Sequence, residues 1–503
     1  MKLVPVIGLE THIQLATNTK LFCACAVSSE NAQPNTSVCQ ICLGHPGVLP
    51  VPNETAVRWA VLLGLALNGK ITPHSKFDRK HYFYPDLPKA YQISQFDLPV
   101  MTDGWLDIEV EGAKGVPRIG IERMHLEEDA AKNMHGDDGK TYVDFNRGGM
   151  PLCEIVTRPD FRGAAEAKAY LHELRLLVRT LGISGGNMEK GQLRCDVNIS
   201  LREVDNDGAF IGPLNTKTEI KNINSFRHVE RAIAYETARQ TKLWEAGTPP
   251  AVTTTRGWND TAQRTDEQRT KEDSADYRYF PEPDIPPLEL ASIAKAMRQK
   301  MPELPAAKRA RLMEEYGFKR SDAAHIVDDP ALANFAENAL SELGAWLEAK
   351  PDVTAETMPA ARTKMSKVFC GWLISKLGGL LAERGSDIRI AKLTPENFAQ
   401  FVMLIADGRL TGTKGLEVLN RMLDDGSDPE HAMQDMGAKR MDDVTALRNI
   451  IDSVLAGLPT EVIRYKNGET KLLPFFLGSV MKATKGNADA ESATRIIREI
   501  LGS

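Results

Sequence analysis

The sequence predicts an α+β protein, a strand-rich mixed domain followed by two all-helical modules, and three observations carry that reading. Apolar and polar residues alternate in short runs through the first half, as in Pro5–Leu15, Pro117–Leu126 and Leu193–Arg202. A proline-rich run, Phe280–Pro287, then interrupts the pattern. From Leu290 onward the apolar residues recur at helical spacing.

In chain order, Pro5–Leu15 reads as the first strand, with Ile7, Leu9, Ile13 and Leu15 on one side and Glu10, His12 and Gln14 on the other. Asn53 is the expected N-cap of a helix over Thr55–Leu67, which Asn68-Gly69 stops. Strands are expected at Leu106–Glu111, Pro117–Leu126, Leu193–Arg202 and Lys217–Ile223, and Ala164–Leu181 reads as a helix ended by Gly182. In the second half, Leu332, Phe335, Ala336, Ala339, Leu340 and Leu343 make one stripe, and Leu447, Ile450, Ile451, Val454 and Leu455 another. Lys350–Arg362 reads as a loop between helices, and Gly408, Gly412, Gly426 and Gly437 punctuate short ones.

The 503 residues are 42% hydrophobic and 26% charged, ordinary for a globular chain of two to four domains. The N-terminus has no basic run ahead of an apolar stretch, and the most apolar segment, Val61–Leu67, is far short of a membrane span. A soluble, cytoplasmic protein is expected. The net charge of −6 argues against binding nucleic acid by bulk electrostatics, so any RNA contact must use local basic patches and shape.

Four of the seven cysteines fall in two close pairs, Cys23-x-Cys25 and Cys39-x-x-Cys42, joined by thirteen residues. In a reducing compartment this spacing suits a tetrahedral structural zinc site better than a disulfide framework or four idle thiols. Cys153, Cys195 and Cys370 occupy apolar positions and are expected to be buried.

Acids and histidines collect on polar strand faces. They are Glu10 and His12, the run His125-Leu-Glu127-Glu128-Asp129, Glu154 within the apolar Pro151–Val156, and Asp196 in Leu193–Leu201. Carboxylates and an imidazole on rigid strands suit a hard divalent cation, and several such strands predict one concave functional surface. The basic aromatic runs at 78–94 and 276–284 could stack on a base and neutralise phosphate, or simply pack on the sheet. No phosphate-loop, dinucleotide-binding or nucleophile-elbow motif is present, so any nucleotide chemistry needs a less common fold.

Taken together, these segments resemble the B subunits of bacterial tRNA-dependent amidotransferases. The resemblance rests on Val6–His12, Ser75–Lys80, Tyr82–Asp86, Pro88–Gln95, His125–Ala130, Leu193–Ser200, Glu219–Phe226 and Asp276–Asp284, with Tyr465–Gly468 and Val480–Gly486 in the tail. It spans essentially the whole chain and leaves no room for the inserted domain of archaeal relatives. It implies a cradle-like catalytic domain with an antiparallel-rich sheet over 1–293, a helical domain over 294–404 and a C-terminal helical tail over 405–503.

It also implies an activity. ATP would phosphorylate the side-chain carboxylate of glutamate or aspartate on a misacylated tRNA. Ammonia from a separate amidase, the glutaminase of the complex, would displace the phosphate. A third, small polypeptide would complete a heterotrimer. On this pattern His12, Glu128 and Glu154 would bind Mg²⁺ with Glu10 close by. Strict alternation, however, puts Glu127 on the side of His125 and leaves Glu128 opposite unless a bulge intervenes. Lys80 and Lys89 would meet nucleotide phosphates or the acyl phosphate, zinc on Cys23, Cys25, Cys39 and Cys42 would brace a loop, and Lys482 and Lys485 would contact tRNA. Two rival readings use the same residues: a metal-dependent hydrolase, and a zinc-stabilised tRNA-binding scaffold without catalysis.

Overall fold

The computed structural model describes residues 2–28, 31–113, 115–270, 277–351, 353–437 and 444–502. Two compact units divide the chain, residues 1–304 and 305–503. The first is built on a nine-stranded sheet, with strands β1 (Lys2–Gln14), β2 (Lys70–Ile71), β3 (Met101–Asp107), β4 (Arg118–Glu128), β5 (Pro151–Thr157), β6 (Leu193–Val204), β7 (Thr218–Lys221), β8 (Thr254–Asn259) and β9 (Arg264–Thr270). Their order across the sheet is β9-β8-β7-β6-β1-β5-β4-β3-β2. Every neighbouring pair is antiparallel except β7 and β8. The expected antiparallel-rich sheet followed by helices is therefore the fold.

Helices α1 (Glu54–Ala66), α2 (Ala164–Thr180), α3 (Phe226–Glu245) and α4 (Leu290–Gln299) supply the rest of this unit. Their apolar stripes share one core with the apolar strand face: Ile7, Leu9, Ile13, Ile155, Val197 and Ile199 are at most 1% exposed beside Leu63, Leu174 and Ile233. Alternation then commits the other face of the same strands to polar residues. The predicted cap is present, with Asn53 Oδ1 accepting from Ala56 N at 3.2 Å, and Asn68 (φ 56°) and Gly182 (φ 69°) turn the chain out of α1 and α2.

The structure corrects two local expectations and adds one helix. The strand expected at Leu106–Glu111 is β3, Met101–Asp107; Glu109 and Glu111 belong to the turn that Gly112 (φ 78°) closes. Helix α3, for which the sequence gave no expectation, buries Val229, Ala232 and Ile233 and, on the same inward face, Glu236 and Gln240, both 0% exposed. Gln240 Nε2 donates to Glu236 Oε1 at 3.0 Å and to Thr218 Oγ1 at 3.2 Å in the core. The loop expected over Lys350–Arg362 is shorter, since the helix Met358–Cys370 starts within it, with Pro359 in its first turn.

Among the described residues, the second unit is built of helices alone. Around Phe398, the rings of Phe335 and Phe369 each lie 5.7 Å away, and Trp372 meets Phe401 edge-on at 4.9 Å. Farther along, Leu447, Ile451, Tyr465, Phe476, Val480, Ile496 and Ile497 form a separate core. Gly426 (φ 76°) ends the helix Gly412–Asp425 as the glycine spacing predicted. No described helix is long and apolar enough to cross a membrane.

Candidate functional site

The polar sheet face is organised by strand register. β1, β5 and β4 lie side by side, with His12 opposite Glu154 and Glu154 opposite His125. Directly paired antiparallel residues project to the same side, so His12, Glu154 and His125 form a row across three strands. Glu127, two residues beyond His125, projects to that side as well. His12 Nε2 is 3.4 Å from both Glu127 Oε1 and Glu154 Oε2, and His125 Nε2 is 3.4 Å from Glu154 Oε2 and 3.7 Å from Glu127 Oε2.

Two acids and two imidazoles at this spacing, in a buried site, hold each other in their charged forms. Burial by itself would lower the pKa of His12, but its hydrogen bonds to Glu127 and Glu154 outweigh that and raise it to about 10. Burial likewise opposes the charge on His125, and the same carboxylates raise it to about 9. Burial pushes Glu127 and Glu154 toward neutrality, and the histidines more than reverse this, so both acids lie well below the usual carboxylate range. Ligand atoms of His12, Glu127 and Glu154 all lie within 4.8 Å of one another. One imidazole and two carboxylates are a fitting donor set for a divalent cation, and His125 Nδ1 is buried without a hydrogen-bond partner beside them.

Glu128 does not join this row. No bulge intervenes at this end of β4; Glu128 projects opposite to Glu127, accepts from Ile93 N at 2.9 Å and is bonded to Lys89 Nζ. Its place in the row belongs to Glu127. Lys89 is thereby engaged with a carboxylate and does not face the row. Glu10 stands one pair along from His12, opposite Asp196, and accepts from Asn198 Nδ2 at 2.8 Å, outside the ligand cluster. Lys80 does approach it. Burial disfavours its charge, but Glu127, Tyr279 and Glu154 outweigh that and raise its pKa.

Around Lys80, two motifs some two hundred residues apart meet. Asp78–His81 is the centre of a three-stranded sheet between Tyr91–Ser94 and Phe280–Pro281. The Lys80 ammonium lies 4.8 Å from the Tyr277 ring centre, and Phe96 stacks on Tyr279 at 4.5 Å. Arg79 is held by both oxygens of buried Glu282, at 2.7 and 2.9 Å, and covers the Tyr91 ring. These runs thus build a wall beside the row. Asp276, the first residue of the second motif, lies outside the described residues.

Arg194 and Asp129 also belong here; sequence reasoning grouped Asp129 with the neighbouring acids and gave Arg194 no role. Arg194 pairs with His12 in register, and its Nη2 meets Asp129 at 3.0 Å. The signal available was pattern alone: Arg194 stands on the same polar face as Asp196.

The four paired cysteines converge as their spacing predicts, with ligand atoms within 4.8 Å of one another. Tight turns set this geometry: Leu43 N donates to Cys39 O at 3.0 Å, Gly44 N to Ile41 O at 3.0 Å, and Cys39 N to Cys42 Sγ at 3.1 Å. Gly44 (φ 69°) is required, because a Cβ there would stand 2.4 Å from Lys89 Cγ. Cys23 holds the Cys42 thiol down to about 4, with Cys39 and Lys20 adding to the effect and burial opposing it. Lys20 is wholly buried, and its Nζ lies 3.6 Å from Cys42 Sγ and 3.2 Å from Phe145 O. Such a cluster of thiols with a buried cation fits zinc. Cys153, Cys195 and Cys370 are buried, as expected. Lys482 and Lys485 stand exposed at the end of the helix Leu473–Ala483.

Comparison with known proteins agrees with this architecture. Residues 5–295 match the GatB/GatE catalytic domain, and residues 356–501 match the GatB domain. The chain is 45% identical to the B subunit of the aspartyl/glutamyl-tRNA(Asn/Gln) amidotransferase of Acaryochloris marina, covering 99% of this chain and 97% of that one. It is 43% identical to the protein of the same name from Thermodesulfovibrio yellowstonii, and 42% to that from Persephonella marina, over the full length of both chains in each case. The chain belongs to this family of amidotransferase B subunits.

Proposed function

We propose that this member of the amidotransferase B family carries the ATP-dependent, amide-forming half of a tRNA amidotransferase, acting on glutamyl-tRNA(Gln), aspartyl-tRNA(Asn) or both. The observation that carries the reading is the row of His12, Glu154, His125 and Glu127, with Lys80 beside it. The tRNA-bound side-chain carboxylate attacks the terminal phosphorus of ATP, forming an acyl phosphate and releasing ADP. Ammonia then attacks the acyl carbon and phosphate departs, leaving the amide.

His12, Glu127 and Glu154 would hold Mg²⁺, which when bound neutralises phosphoryl oxygens. Lys80 brings a further positive charge to the transferring group, and Arg194 borders the row on the β6 side. The chain carries no nucleophile motif for releasing ammonia from glutamine, which fits supply by a partner glutaminase, with a third, small polypeptide in the heterotrimer. Zinc on the four cysteines would brace their loop without taking part in chemistry. Residues 1–293 would form the catalytic domain. The helical segments 294–404 and 405–503 would hold tRNA, with Lys482 and Lys485 on its phosphates. A cytoplasmic location follows from this role in protein synthesis.

Reconstituted complex bearing Glu154→Gln tests the reading on both misacylated tRNAs. Loss of ATP-dependent amidation with intact glutaminase and tRNA binding supports it. Unchanged amidation sinks it, and turnover without ATP would instead favour metal-dependent hydrolysis.

A further inference from the structure

His125 is the member of the row that a three-ligand cation site leaves unused. Its side chain is 6% exposed. It stands on β4, with Glu154 of β5 between it and His12 of β1. Nε2 lies 3.4 Å from Glu154 Oε2 and 3.7 Å from Glu127 Oε2, and among the described residues Nδ1 has no hydrogen-bond partner. A buried ring with one nitrogen idle is destabilising, so its place in the row needs a reason other than stability.

The pattern of contacts supplies one. Glu127 offers Oε1 to His12 and Oε2 to His125, while Glu154 Oε2 faces both imidazoles. The two rings thus flank the same pair of acids from opposite sides. The four separations, 3.4 Å three times and 3.7 Å once, are long beside the roughly 2.7–2.9 Å of a charge-assisted hydrogen bond. They match atoms that share an ion. Ligands about 2.1–2.2 Å from a cation, at angles of roughly 105–120°, stand about 3.3–3.8 Å apart. His12, Glu127 and Glu154 form the tightest group, within 4.8 Å, and His125 closes on it from the β4 side.

A fourth ligand alters which ion fits. Mg²⁺ favours oxygen donors and keeps several waters, whereas imidazole favours first-row transition ions. Two carboxylates already neutralise a divalent charge, so a second neutral imidazole adds a bond without adding charge. The ion takes the place of the protons that both rings carry in the free protein. We infer that His125 is a fourth ligand at the row, and that the resulting set of two nitrogens and two oxygens selects a first-row transition cation over Mg²⁺. For the role of that cation the inference rests on the amidotransferase reading, but its test needs no turnover.

Mn²⁺ is the probe, added to the full chain after its cysteines are filled with zinc. Pulsed electron paramagnetic resonance counts the nitrogens coupled to the bound Mn²⁺, and a titration with competing Mg²⁺ gives the preference. The expected result is two coupled nitrogens, with Mn²⁺ held about tenfold or more tighter than Mg²⁺. His125→Gln should leave one nitrogen and weaken Mn²⁺ by about tenfold, while Mg²⁺ binding changes far less. One coupled nitrogen in the parent overturns the inference, and that reading needs no variant to fold. So does equal weakening of Mn²⁺ and Mg²⁺ in a His125→Gln chain with the parent's melting transition, the mark of a histidine that only positions the acids. Equal affinity of the parent for both ions overturns the choice of cation. If no Mn²⁺ binds outside the cysteines, the cation site itself falls. A complex that binds Mn²⁺ through two nitrogens yet amidates no misacylated tRNA would instead sink the reading of function and leave this inference standing.

Discussion

The His–Glu row and the cysteine cluster each gather candidate ligand atoms within 4.8 Å, yet they are built in opposite ways. In the row, ligands come from residues 12, 127 and 154, on three strands whose register is fixed by a buried apolar face. In the cluster, ligands come from residues 23–42, on one loop shaped by turns, with half-buried sulfurs. Register is set by the core, so the row is preorganised whether or not a cation is bound. A loop closed through four thiols owes part of its order to the ion that joins them. Removing a ligand from the row should thus cost activity and little stability, and removing one from the loop the reverse.

The largest expected effect is on the row. Glu127→Gln and Glu154→Gln should each lower amidation by about a hundredfold or more, with the smaller stability loss, because His12 and His125, unlike Lys89, shed a proton readily once a carboxylate is gone. Glu128→Gln sharpens the assignment, because it leaves Lys89, whose side chain is 9% exposed, without its carboxylate. A loss of about 3 kcal/mol in denaturant unfolding is expected there. If Glu128→Gln abolished amidation at full stability while Glu127→Gln kept it, the assignment of the two acids would be reversed.

In the loop, Cys39→Ser should lower zinc content from stoichiometric to near zero and destabilise the chain by about 3 kcal/mol, with amidation by the folded fraction within a few-fold of the parent. Metal analysis and calorimetry on the same sample check this, and an unaltered melting curve would break the contrast. Lys20→Met removes the buried cation beside Cys42 and should speed zinc transfer to a chelator by about tenfold, without altering amidation at saturating zinc. The smallest effect is expected from Asn53→Ala. Asn53 caps α1 and donates to Thr19 Oγ1 at 2.8 Å, tying that helix to the segment just ahead of the cysteines. About 1 kcal/mol of stability should be lost, with zinc affinity and amidation unchanged.

Much of this was legible in the residues. Alternation in Pro5–Leu15 and Leu193–Arg202 fixed which side chains face the core, because a strand has a period of two and one face must be apolar. The same rule already set Glu127 beside His125, where the structure has it, while the family pattern pointed to Glu128, which projects to the other side. Two close cysteine pairs announced their cluster because their proximity in sequence leaves little chain to close. Helix α3 went unread because its buried face is partly polar, and burial of Gln240 and Glu236 is favourable only once Thr218 of β7 and Thr265 of β9 provide partners.

The sequence by itself thus determined the faces of the strands, the caps of α1 and the pairing of the cysteines, all consequences of local stereochemistry and apolar burial. Only tertiary structure decided which strands became neighbours. It set Glu154 between His12 and His125, joined the runs 78–94 and 277–284 into one wall, and placed Arg194 beside His12. Those juxtapositions depend on long-range register, which a core enforces collectively and no single segment encodes.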